Sequence, residues 1–207
     1  MIDFALVSLF IPTFFLVSIT PGMCMTLAMT LGISIGVKNT LWMMWGELLG
    51  VACVAIASVV GISSLMLKMP FLFQGLKFVG AAYLLYVGLN MWFSKGKLAL
   101  TTQQNCSSSI SKKQLFNQGF ITAIANPKGW AFMVSLLPPF INNNYALLPQ
   151  LTVLVIIIII SEFICMMLYA AGGKTIGRIL TQQNNVKRLN QVSGSLMIAV
   201  AIWLALS

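Results

Sequence analysis

The sequence predicts an all-α integral membrane protein: six transmembrane helices forming two inverted three-helix repeats, with helices 1 and 4 broken at proline motifs. Three observations predict it. Of the 207 residues, 59% are hydrophobic and 7% charged, with a mean hydropathy of +0.95, whereas soluble domains carry roughly 25% charged residues. Apolar runs fall at 4–37, 41–66, 71–93, 115–141, 148–172 and 189–206, and a helix needs about 20 residues to cross the hydrocarbon core. Finally, Thr20-Pro21-Gly22 and Asn126-Pro127-Lys128 interrupt the first and fourth runs at matching places in the two halves.

Taken in order, Met1-Ile2-Asp3 precedes the first run without the basic start or small-residue cleavage site of a secretory signal, so the run reads as a retained span. It is too long for one straight crossing, and its break gives arms 4–19 and 22–37. Runs two and three are single spans and complete repeat one, residues 1–93. The polar stretch 94–114, rich in Ser, Thr and Gln, is the linker between the halves. Run four is broken at Asn126-Pro127-Lys128, and runs five and six complete repeat two, residues 115–207. Three spans per repeat is an odd number, so the second copy must insert upside down. Pro21 and Pro127 stand 106 positions apart and Glu47 and Glu162 115, weak echoes of such a repeat.

Lysines and arginines orient the chain. Nine of the twelve fall in three loops on one face: Lys38; Lys95, Lys97, Lys112 and Lys113; Lys174, Arg178, Lys187 and Arg188. Basic loops stay in the cytoplasm, so the linker is cytoplasmic and both termini are periplasmic. The net charge of +9 is therefore membrane anchoring, since no basic stripe interleaves with aromatics as nucleic-acid binding requires. There is no histidine, and the four cysteines form no CxxC pair, which argues against a metal site or cofactor. Gly172-Gly173-Lys174-Thr175 imitates the tail of a phosphate loop, but Leu168 stands where its first glycine belongs. No ATP site is expected.

Proline and glycine break the helical hydrogen-bond ladder, and bare backbone in hydrocarbon is costly. A pair of breaks in corresponding positions points to a transporter's substrate site. The candidate substrate-binding residues are Thr20, Pro21, Gly22, Asn126, Pro127 and Lys128. Helix arms starting at the prolines offer N–H groups to a carboxylate, and Lys128 adds a full positive charge. Asn126, with carbonyls at the ends of the preceding arms, suits an ammonium. The acids are Asp3, Glu47 and Glu162. The last two lie inside spans, where an ionisable group is costly and functional by default. Glu162, with Glu47 less clearly, is the candidate for proton coupling. Asp3 has no assigned task. Gly22, Gly32, Gly36, Gly46 and Gly50 read as close helix packing.

These features resemble the LysE/RhtB-type amino-acid exporters. The resemblance rests on Ser18-Ile19-Thr20-Pro21-Gly22, Gly80-Ala81-Ala82-Tyr83-Leu84 with Gly88, Asn126-Pro127-Lys128 with Leu136-Leu137-Pro138-Pro139-Phe140, and Leu189-Asn190 with Gly194-Ser195-Leu196. It covers nearly the whole chain, and Glu162…Ala170 fits the spacing of the threonine/homoserine branch. It implies a secondary transporter, not an enzyme, exporting a small amino acid by proton exchange across a bacterial inner membrane. The partners implied are an amino-acid substrate, protons and the lipid bilayer, with a homo-oligomer left open. The family usually reads Pro-Gly-Pro at the first break, whereas Met23 follows Gly22 here. The alternative is a membrane thiol–disulfide electron carrier of the same superfamily, suggested by Cys24 beside the first break. That carrier needs a second cysteine at the other break, and residues 120–135 hold none.

Overall fold

The computed structural model describes residues 3–68, 70–93, 110–142, 144–173 and 183–206. The linker residues 94–109, the basic residues Lys95, Lys97, Lys174 and Arg178, and Cys106 lie outside the described residues. Every regular element described is helical, with no strand among the described residues. They are α1 (Phe4–Ile19), α2 (Met23–Ile35), α3 (Val37–Lys68), α4 (Pro70–Trp92), α5 (Lys112–Ile124), α6 (Pro127–Leu136), a 3-10 turn (Pro138–Phe140), α7 (Leu147–Ala171) and α8 (Gln183–Leu206). Helices Val37–Gly61 and Leu147–Ala171, 25 residues each, are long and apolar enough to cross a membrane. The pair α1 and α2 qualifies together, bent by 57°.

Local chemistry accounts for the helix ends. A proline disfavours helical backbone in the residue before it. Thr20 is accordingly extended (φ −67°, ψ 128°) and ends α1, while Asn126 is extended (φ −78°, ψ 103°) and precedes α6. Pro127 then takes the first helical position, where a missing N–H does no harm. Gly36 joins α2 to α3 with a φ of +80°; this left-handed backbone, rather than close packing, is what requires glycine there. Ser111 and Gln114 form a capping box that starts α5 at Lys112, three residues before the apolar run. Asp3 caps α1, accepting from Ala5 N and Leu6 N, and also accepts from Asn142 Nδ2 at 3.0 Å. The Asn142 bond and these helix N–H groups hold its carboxyl below the usual range.

α3 packs along α5, and α4 along α8. α3 also meets α6, while α7 meets α1, α2 and α3. Gly46 and Gly119 allow the first crossing: a Cβ on Gly46 would collide with the Phe116 carbonyl, and one on Gly119 with the Met43 carbonyl. Gly32 meets the Ala170 backbone in the same way. Two apolar cores result. One gathers Phe10, Phe14, Val51, Val54, Phe132 and Phe140; the other, rich in methionine, gathers Met25, Met29, Met43, Met44 and Met166. Large apolar side chains such as Trp45, Tyr86, Ile121, Leu148 and Ile156 face outward, as a hydrocarbon solvent allows.

Candidate functional site

Between the two cores lies a cavity of about 50 Å³, walled by Phe14, Met25, Val51, Val54, Phe132 and Met133. Its polar groups come from five helices and the breaks between them: Ser18, Thr20 and Gly22; Cys24; Glu47; Asn126 and Lys128; and Glu162. Of the candidate substrate-binding and proton-coupling residues, Pro21 and Pro127 alone do not line it. They act through the backbone, by setting where the helices stop and start.

The two breaks meet. Lys128 Nζ donates to the carbonyls of Val17 at 3.4 Å and Thr20 at 3.3 Å, and a Cβ on Gly22 would lie 3.7 Å from that nitrogen. These carbonyls end α1, where the helix dipole favours a cation. The same ammonium stands 5.8 Å from the centre of the Phe132 ring, within cation–π range. The arm-end carbonyls expected to face a substrate ammonium are thus held by the protein's own lysine. Tyr169 takes another, its hydroxyl donating to Ile19 O at 2.8 Å.

Asn126 is engaged as well. Its Oδ1 accepts from Lys128 N at 3.1 Å and caps α6, and its Nδ2 points at Cys24 Sγ, 3.7 Å away. A residue extended before Pro127 is placed to cap the helix that follows. α2 begins at Gly22 without a side-chain cap.

The two membrane carboxyls have unlike surroundings. Glu162 on α7 accepts from Ser18 Oγ at 3.0 Å and feels the charge of Lys128. Glu47 on α3 is 1% exposed, and neither of its oxygens makes a hydrogen bond of ordinary geometry. The Cys24 thiol, a weak donor, and the Glu162 carboxyl are the polar groups facing it. Sequence reasoning missed Ser18 and Tyr169 as part of this assembly. Tyr169 carried a signal: it stands seven residues after Glu162, two helical turns on and so on the same face.

Residues 15–207 match the family described as LysE type translocator. The chain belongs to that family. A LysE-type translocator is a membrane transport protein, which accords with the outward apolar faces and the polar groups gathered in the cavity. An uncharacterised membrane protein of Vibrio cholerae is 30% identical over 91% of this chain and 90% of its own length. A homoserine/homoserine lactone efflux protein of Salmonella typhimurium is 28% identical over 92% and 91%. A leucine efflux protein of Klebsiella pneumoniae is 25% identical over 90% and 88%. No solved structure matches the chain. The electron-carrier alternative finds no support in these relatives. In this LysE-type translocator Cys24 faces Asn126 and Glu47 rather than a second thiol at the other break.

Proposed function

We propose that this translocator exports a small amino acid or amino-acid derivative, homoserine-like or leucine-like, from the cytoplasm in exchange for protons. The observation that carries the proposal is the meeting of Lys128 with the first break inside a cavity that also holds Glu47 and Glu162. A zwitterion needs a cation for its carboxylate, and Lys128 with the uncapped start of α2 provides one. Proton exchange needs a carboxyl that loads and unloads, and Glu162, with Glu47 as the second acid, fills that role. The named activities of the Salmonella and Klebsiella relatives point to the same substrate class.

The cavity is about 50 Å³, while a cavity that admits benzene measures about 150 Å³. An amino acid needs more room than this, so in this reading α2 and α6 swing at their breaks to admit one, with Lys128 leaving the Val17 and Thr20 carbonyls for the substrate.

The chain is proposed to cross a bacterial inner membrane six times as two inverted repeats, with both termini periplasmic. The packing favours this: α3 meets α5 and α6 of the other half, as α7 meets α1 and α2. Proteoliposome flux tests the proposal. Purified protein should accumulate or release L-homoserine, L-threonine or L-leucine in response to an imposed pH gradient. Indifference to all three under a gradient would end it.

A further inference from the structure

Resting on the export reading above, we infer that Glu47 is the residue that recognises the substrate's amino group, and that proton and ammonium occupy it in turn. Glu47 lines the cavity with neither oxygen in a hydrogen bond of ordinary geometry, only the weak Cys24 thiol beside it, and its side chain almost wholly buried. A carboxylate left so among apolar groups is costly, and either a proton or a cation relieves it. The cavity's own cation is committed elsewhere, since Lys128 holds Val17 and Thr20 carbonyls and faces Glu162. Glu162 in turn has Ser18. Among the described residues, the titratable groups facing Glu47 are Cys24 from α2 and Glu162 from α7, with Lys128 of α6 in the same cavity. None of these gives Glu47 a positive partner.

The exchange balances simply. On the cytoplasmic side Glu47 gives its proton to water, and the substrate's –NH3+ takes the vacated charge. On the periplasmic side a proton from water replaces the ammonium. One carboxyl cannot hold both, which makes the movement an antiport and makes a free amino group a condition of transport. Substrates whose nitrogen is acylated lack that cation and fall outside the class.

The test uses full-length protein with L-homoserine, L-threonine and L-leucine, each against its N-acetyl form. In wild type, unlabelled amino acid should compete for uptake about tenfold or more better than its N-acetyl form. Amino-acid binding should also release protons into weakly buffered detergent solution. Glu47→Gln should lose both the preference and the proton release. If Gln is not tolerated at this position, Glu47→Asp decides. Its shorter carboxylate should weaken competition by the free amino acid and leave that by the N-acetyl form unchanged. A Glu47→Gln or Glu47→Asp protein that discriminates as wild type does overturns the inference and leaves the export reading standing. Wild type that moves none of the three amino acids overturns both.

Discussion

The Lys128 ammonium donates to the Thr20 carbonyl across 3.3 Å, although 108 positions separate the two residues. This contact ties the second break to the first. It places the ammonium that lines the cavity at the carbonyl end of α1, where dipole and exposed backbone both favour it.

Replacing Lys128 with Met should abolish export. The variant removes the donor from the Val17 and Thr20 carbonyls and leaves Glu162 without its counter-charge. Losing one partner of a buried polar set typically costs about 1–3 kcal/mol. Flux should vanish, and the melting temperature in detergent should fall. Undiminished flux would remove Lys128 from the substrate site.

Glu162→Gln should still export down a substrate gradient, with weaker acceleration by an inward proton gradient, because Glu47 still exchanges its own proton. The amide keeps a partner for Ser18 Oγ and abolishes titration. Comparing flux with and without an imposed pH difference separates coupling from structure. If the dependence on the gradient is unchanged, Glu162 serves only as an interhelical bond.

Asn126→Ala removes the cap of α6 and should cost about 1 kcal/mol. Asn126→Asp keeps an acceptor for Lys128 N and should retain most stability. Thermal unfolding of the two variants should therefore rank Asp above Ala. Equal melting temperatures would mean that the cap does not hold the break.

Gly46→Ala and Gly119→Ala each drive a methyl group into backbone of the facing helix, whereas a Cβ on Gly61 meets nothing within 4 Å. Overpacking of this kind costs about 1–3 kcal/mol. Both variants should unfold at lower temperature than Gly61→Ala. If all three melt together, the α3–α5 contact is looser than described.

Alkaline phosphatase fused after Ser207 should be active, and a fusion after Gln104 inactive, because nine of the twelve basic residues fall at 38, 95–113 and 174–188, stretches read from the sequence as cytoplasmic. The reverse pattern would invert the membrane orientation and the direction proposed for transport.

The sequence by itself determined the membrane-protein class and the ends of the helices at both breaks. These are local matters: composition sets the solvent, and a proline restricts its own N–H and the residue before it. Thr20 and Asn126 are therefore extended for a reason visible in Pro21 and Pro127 alone. Gly46 was legible as a packing residue, but not its partner Phe116; Gly36 looked the same and instead serves a left-handed joint. Only the tertiary structure decided which partners each polar group has. Asn126 caps α6, and Lys128 holds carbonyls at the end of α1. Glu162 has the Ser18 hydroxyl as a partner, while Glu47 faces only the weak Cys24 thiol and the other carboxyl. Two glutamates in apolar spans look alike in sequence, because a buried charge is defined by neighbours that come from other helices.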